Sequence, residues 1–521
     1  MADIVLINPK FEVSFWGMEF ALPYFGKGAN LPVACLPLLA ALTPEGHTLT
    51  LMDENVAPLD YERLAKADIV GLTGMSVQRF RMTEILEDLK QRGMFTVVGG
   101  PWVTVQEDYF GELADVIFIG EAEDTWPLFL QEWKAGTHAA RYEQSQPTDM
   151  SKVPCPRYDL LPSHRYLIGS MQFSRGCPFQ CEFCDIIITF GRRPRLKTSP
   201  QVIAELDALH KSGLDLVFIV DDNLIGNKKA VKELLRDVSA WQEEHGYPLS
   251  FFTEASLDLA EDDELMDLMV QANIQCVFIG IETPNEDSLR ETKKHQNVRE
   301  KGGTILDKVK HIQHAGIEVW CGMIVGFDND KSDIFDMQIK FLTEARIVHA
   351  MVGMLHAIPK TPLHARLAEE GRLDWSDKSE FGTNVVPLHM SREELSDGYI
   401  RVMQELYEPR AYFDRVDALY LDPQFAPGEV QRKYLASHPL RRLKAQAWNG
   451  IRGWVVYKRL MWRVKDAGLR AIYRERLMNL WRVRKDPYYF FVYALKCALH
   501  YHYHRMLQRM TQSDRALVNS F

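Results

Sequence analysis

The stretch Ser174-Arg-Gly-Cys-Pro-Phe-Gln-Cys-Glu-Phe-Cys-Asp185 places Cys177, Cys181 and Cys184 in a C-x3-C-x2-C run of eight residues. Three thiolates that close together can hold three irons of a 4Fe-4S cluster. No fourth cysteine stands at ferredoxin spacing, so one iron keeps an open position. An open iron on a reducing cluster can bind a small molecule and cleave it. The competing reading is a zinc knuckle or a buried cysteine cluster. Zinc asks for a fourth Cys or His at short spacing, and the nearest candidates, Cys155 and His164, lie upstream across a Pro-rich stretch. The spacing favours the cluster.

Around this loop the chain reads as a βα series. Strands are expected at 170–173, 216–220, 250–253, 276–281, 318–324 and 351–357, joined by helices. This is the pattern of a partial (β/α)6 barrel over 170–375. Polar residues recur at the strands' carboxyl ends, the catalytic face of such barrels: Asp221-Asp-Asn223, Glu254 and Glu282. Residues 1–135 alternate strands at 3–8, 49–53, 69–73, 96–98 and 116–119 with helical stretches such as 79–92, the pattern of a doubly wound parallel sheet. Its ligand face comprises Thr73-Gly-Met-Ser76, Gly99-Gly-Pro101 and Gly120-Glu121. No G-x-G-x-x-G opens the first helix, which argues against a dinucleotide. Residues 136–169, interrupted by Pro147, Pro154, Pro156 and Pro162, read as a linker. Residues 376–521 form a helical C-terminal domain.

A chain of 521 residues with 46% apolar and 25% charged residues is an ordinary globular protein of about three domains. Eight cysteines, three of them clustered, do not make a disulfide framework and point to a reducing compartment. No run reaches the ~18 apolar residues of a membrane span; the longest, 488–499, contains Lys496. The N-terminus reads as a strand with no leader signal. The expectation is a cytoplasmic protein.

Charge is split along the chain. Residues 431–510 hold 19 basic and 3 acidic residues, while the first 430 carry a balance of −26. The basic segment also holds 14 aromatic residues. Ile451, Trp454, Val455 and Trp462 recur at helical spacing, with Lys458 breaking the stripe. A helix at a membrane interface with snorkelling cations fits this, as does a helix packed on the barrel's acidic surface. No compact nucleic-acid-binding motif is present, so no nucleic-acid partner is expected.

The cysteine spacing, with Phe183 just before the third cysteine, resembles the signature of the radical S-adenosylmethionine (SAM) enzymes. The three small-residue loops of the first domain, after Leu36-Pro-Leu-Leu-Ala-Ala41 and Gly46-His47, resemble the cobalamin-binding domain that precedes many such barrels. The order Rossmann-like domain, barrel, helical extension resembles the cobalamin-dependent radical SAM methyltransferases. Cys184-Asp-Ile-Ile-Ile-Thr-Phe-Gly-Arg-Arg-Pro-Arg195 and Asp221-Asp-Asn-Leu-Ile-Gly-Asn227 look most like the subgroup containing the hopanoid C-2 methylase.

The resemblance implies three cofactors: a 4Fe-4S cluster on the three cysteines, SAM and cobalamin. It implies methylation of an unactivated carbon, with a hopanoid or related polycyclic lipid as substrate. It implies SAM contacts at Phe183 and Glu282, with Asp222 and Glu254 in the same cavity open between SAM and the substrate, and cobalamin contacts among Thr73, Ser76, Gly99, Gly100, Gly120 and Glu121. The D-x-H-x-x-G motif that supplies an axial histidine in other cobalamin proteins is missing, so cobalamin without a protein imidazole on that face is expected. An electron donor such as flavodoxin or ferredoxin, and peripheral contact of 431–510 with the inner face of the membrane beside the active site, complete the picture. The rival readings are ring closure or rearrangement without methyl transfer, and an electron carrier or cobalamin sensor.

Overall fold

The computed structural model describes residues 1–299 and 301–512; the last stretch of the expected C-terminal domain, 513–521, lies outside the described residues. The β-branched runs of the first third become strands β1 (Asp3–Asn8), β2 (Thr48–Asp53), β3 (Ile69–Thr73), β4 (Thr96–Gly99) and β5 (Val116–Ile119). A sixth strand, β6 (Arg141–Glu143), lies within the stretch expected as linker and pairs with β5. All pair in parallel in the order β2-β1-β3-β4-β5-β6. Alternation along the strands buries both faces. Val5, Ile7, Val70, Leu72 and Val98 pack with the helix Arg79–Gln91 through Met82, Ile85 and Leu89. Ile4, Leu6, Val97 and Phe118 pack on the other side with Trp126 and Phe129 of the helix Thr125–Ala135.

The second series gives β7 (Gly169–Met171), β8 (Leu216–Ile219), β9 (Ser250–Ala255), β10 (Ile274–Glu282), β11 (Glu318–Val325) and β12 (Ala350–Met354). They form one parallel sheet in sequential order, the partial barrel expected. Val217, Ile219, Phe251, Val277, Ile279, Ile281, Val319 and Cys321 belong to the main hydrophobic core. The alternate residues Phe218, Phe252, Phe278 and Trp320 take the opposite face. Phe218 stacks on Phe252 with ring centroids 4.2 Å apart, and Phe252 meets Trp320 at 6.2 Å.

The helical extension closes the barrel's amino-terminal end. Helix α1 (Pro439–Arg463) is followed by α2 (Ala467–Arg484) and α3 (Pro487–Gln512). Lys496 of α3 bonds both carboxylate oxygens of Glu318, at the start of β11, at 2.6 and 2.8 Å. Tyr488 donates to Gln275 at the foot of β10. Gly453 lets α1 approach α3 closely, because a Cβ there would fall 2.8 Å from the Phe490 ring. The segment between β1 and the helix Cys35–Leu42 was not expected here: it leaves the first sheet and runs under the barrel. Phe15 stacks on Tyr503 of α3 at 4.8 Å, and Trp16 meets Phe278 and Trp320 at 5.1 and 6.5 Å. No described helix is long and apolar enough to cross a membrane.

Candidate active site

The cysteine loop leaves the carboxyl end of β7 and returns through a short antiparallel pair, Ser174–Arg175 with Arg195–Leu196. Two adjacent carboxylates at the end of β8 fix its entry. Asp221 accepts the Phe173 and Ser174 amides at 2.7 and 2.9 Å, and Asp222 accepts the Gly176 amide at 2.7 Å. Cys181 is buried, while Cys177 and Cys184 are partly open. Two amides are turned toward sulfur: Asn223 Nδ2 stands 4.0 Å from Cys177 Sγ, and Gln296 Nε2 3.6 Å from Cys181 Sγ. Burial pushes the Cys177 and Cys184 thiols up, and the Lys294 ammonium opposes this.

Phe183, Asp222, Glu254 and Glu282 gather at the same mouth. Burial, then the neighbouring Asp221 charge, raises Asp222 to about 7. Burial, then Asp222 and Asp221, raises Glu254 to about 8. Among the described residues no hydrogen bond reaches the Glu254 carboxylate. Glu282 ends β10 with φ +66, a left-handed conformation rare for a non-glycine residue, at a register shift against β11. Its carboxylate receives Lys294 Nζ at 2.6 Å. The Phe183 ring lies 5.9 Å from the same ammonium and 6.1 Å from Phe327.

Lys294, Gln296 and Asn297 escaped the reading of the sequence. The run Thr292-Lys-Lys-His-Gln-Asn297 folds back over the mouth, and Asn297 donates to the Gly280 and Ile281 carbonyls at 3.0 Å each. A buried carboxylate at a strand end asks for a cation, but nothing in this polar run says which lysine turns inward. His356, just beyond β12, is a second omission. Its ring stays exposed at the barrel's carboxyl end, where crowding by the surrounding chain, then Arg79, holds it below the usual histidine range.

Between this mouth and the carboxyl ends of β1, β3, β4 and β5 lies a cavity of about 350 Å³. Thr73, Gly99, Gly100, Gly120 and Glu121 line it, as do Cys35, Phe118, Trp126 and Phe190. Gly100 has φ +101, and a Cβ on it would fall 2.5 Å from Thr73 Oγ1; Gly120, at φ +73, faces open space. The floor is therefore bare backbone, suited to a flat ligand. Ser76 is not among the lining residues; it opens the turn Ser76–Gln78, and its carbonyl accepts from Arg79. Glu121 borders the cavity, but its carboxylate is occupied. Arg175 and Arg195 donate to it at 2.7 and 2.9 Å, and Arg175 also reaches Glu123 at 2.6 Å. From the cavity's edge Glu121 thus clamps the first domain to the cysteine loop.

Residues 171–340 match the radical SAM superfamily, and 361–516 match a domain of unknown function, DUF4070. The chain is 41% identical over 417 residues to an uncharacterized methyltransferase of Synechocystis sp., covering 79% of this chain and 77% of that one. It is 32% identical over 510 residues to the hopanoid C-2 methylase of Rhodopseudomonas palustris, covering 94% and 93%. The chain belongs to the radical SAM methyltransferases. Two solved structures share the fold. The cobalamin-dependent SAM radical enzyme OxsB, with aqua-cobalamin bound, superposes with TM-score 0.60 at 14% identity over 100% of this chain and 82% of that one. The methyltransferase TsrM of Kitasatospora setae, with cobalamin and a 4Fe-4S cluster, gives 0.57 at 16% over 77% and 82%.

The residues present fit this family's cofactors. Asn223 Oδ1 and Gln296 Oε1 are buried without partners beside the thiols, and amide donors to cysteine sulfur are a recognised influence on cluster potential. Among the described residues no three His, Cys, Asp or Glu side chains converge as ligands of a single ion. The cavity lining contains no histidine, and His47 lies elsewhere, with Nδ1 accepting from the Ala2 amide at 3.3 Å. Cob(II)alamin bound to the protein is accordingly expected to show no nitrogen superhyperfine splitting in its electron paramagnetic resonance spectrum. A splitting that vanishes on substituting His47 or His356 would contradict this.

Proposed function

We propose that this methyltransferase acts on an unactivated carbon of an apolar polycyclic lipid of the hopanoid type. The observation that carries the reading is the aromatic layer inside the barrel. Phe218, Phe252, Phe278 and Trp320 face inward from four successive strands, with Trp16 beneath them. Phe218, Phe278 and Trp320 remain only partly buried although they sit inside the fold. Flat aromatic faces suit a fused-ring hydrocarbon, which offers no charge for a side chain to grip.

The roles of the residues follow from position. When bound, the cofactors supply the radical and the methyl group, chemistry that no side chain provides. Cys177, Cys181 and Cys184 would hold the cluster, with Asn223 and Gln296 donating to sulfur. Asp222, Glu254, Glu282 and Phe183 would receive SAM. Asp222 and Glu254, with affinities raised to about 7 and 8, are poised to ionise when a cationic ligand enters. Thr73, Gly99, Gly100 and Gly120 would seat cobalamin, and Glu121 would hold its domain against the loop. A small electron-transfer protein of the flavodoxin or ferredoxin kind would reduce the cluster in the cytoplasm.

Mass spectrometry of lipids from cells with and without this protein tests the substrate. The expected result is loss of a polycyclic lipid and accumulation of its homologue one CH2 lighter. Unchanged lipids alongside an altered water-soluble metabolite would overturn the lipid reading and leave the cofactor assignments standing.

A further inference from the structure

Helix α1 has two opposed faces, and only one of them is used by the fold. Gly453, Val456 and Leu460 are buried, Gly453 against Phe490 and Phe491. Arg459 and Arg463 secure the same flank by donating to the carbonyls of Tyr24 and Pro23 at 2.8 and 2.9 Å. The other face carries Leu440, Leu443, Ile451, Trp454 and Trp462 at helical spacing, with Trp448 beside them. These six side chains are exposed by 84, 66, 56, 55, 79 and 58% respectively. Single exposed apolar residues are ordinary, but a continuous stripe the length of a 25-residue helix is not.

The charges on this face say what covers it. Lys458 falls within the stripe, its ammonium 5.2 Å from the Trp454 ring. Lys444 is exposed on the same face nearer the amino-terminal end. A lysine at the centre of an apolar seam disfavours dry packing against a second helix. It suits a bilayer boundary, where the stem lies among acyl chains and the ammonium reaches the headgroups. Tryptophan prefers the same depth. Not all the basic residues of 431–510 are spent on the fold's own carboxylates: Arg452, Arg476 and Lys496 reach Asp215, Asp414 with Asp417, and Glu318, none of them through the stripe.

We infer that α1 is a peripheral docking helix that lies in the surface of an anionic bilayer through this stripe. The structure also moves the contact from where it was expected. Arg452 of α1 pairs with Asp215, just before β8, so the helix lies at the barrel's amino-terminal end and not beside the cysteine loop. Docking would turn the barrel floor toward the lipid and leave the cobalamin domain free on the far side. The inference stands on the helix alone and does not depend on the substrate.

Co-sedimentation of the cluster-loaded, full-length protein with phosphatidylglycerol–phosphatidylcholine vesicles tests it. Binding is expected at low salt, weakened at least about tenfold by high salt or by omitting phosphatidylglycerol. Trp454→Ser with Trp462→Ser, and separately Lys444→Glu with Lys458→Glu, are each expected to weaken it about tenfold while iron content and SAM cleavage stay unchanged. The charge-reversal pair touches no packed side chain and keeps the test valid if the tryptophan pair disturbs folding. No binding at low salt overturns the inference, as does a dimer in sedimentation velocity that the same substitutions dissolve. Methylation of detergent-dispersed lipid, measured in parallel, reports on the substrate reading separately.

Discussion

Alanine at Cys177, Cys181 or Cys184 is expected to abolish SAM cleavage in each of the three variants, to below about a thousandth of the unsubstituted rate. Each thiolate would hold its own iron, so losing one opens a second iron to solvent and removes the fixed orientation on which cleavage depends. The loop itself should survive. Asp221 and Asp222 hold its backbone through the amides of Phe173, Ser174 and Gly176, and none of these bonds involves sulfur. Iron and sulfide analysis should therefore fall while the melting temperature of the cluster-free protein is unchanged. The measurement is 5′-deoxyadenosine formed under a strong reductant. Wild-type cleavage in any one variant would remove that cysteine from the site.

Breaking the clamp between the domains should separate two activities that the family couples. Arg175 sits two residues before Cys177, its side chain 8% exposed, and faces Glu121 and Glu123, at 6% and 9%. Arg175→Met leaves Glu123 buried without its guanidinium partner, and a change of that kind costs about 3–5 kcal/mol. Glu121 keeps Arg195, which places the expected loss near the lower end, about 3 kcal/mol. The methyl transfer should suffer more than stability suggests, because the cavity and the mouth must be held in register across this contact. We expect 5′-deoxyadenosine formation to persist while methylated product falls at least about a hundredfold, since a misplacement of ~1 Å can cost that much. Equal loss of both products would mean that Arg175 serves only the cysteine loop. Chemical denaturation checks the stability term.

The strands were legible because each is a short β-branched run ending in a small or polar residue, and because tertiary packing agrees with that pattern. The cysteine site was legible because its spacing is local: eight residues carry all three ligands. Contacts made by distant chain were not. Glu121 follows a strand end where a ligand contact is a natural expectation, yet the guanidinium that claims it lies 54 residues on. Lys294 reaches Glu282 from a run with no periodicity. Strand β6 has a single buried residue, Tyr142, flanked by exposed Arg141 and Glu143, too short a pattern to stand out. The exposed stripe of α1 was half legible: the spacing was visible, but spacing alone cannot tell a buried face from a bare one.

The path of residues 9–34 bears on how the protein is made. Phe20 donates its amide to His502 Nδ1 across 482 residues, and His502 Nε2 bonds the Ser14 carbonyl at 2.8 Å. Phe15, Met18, Ala21 and Leu22 are buried in the barrel's core, not in the first sheet, whose β1 ends at Asn8, seven residues before Phe15. On a ribosome adding about 5–20 residues per second, these side chains wait roughly half a minute to a minute and a half for α3 to emerge. During that interval the first sheet can close, but the apolar loop that hangs from it has only part of its cover, from Phe278 and Trp320 of the barrel. A fragment that stops short of residue 500 would leave Phe15 without Tyr503 and Phe20 without His502, and keep that side of the loop bare.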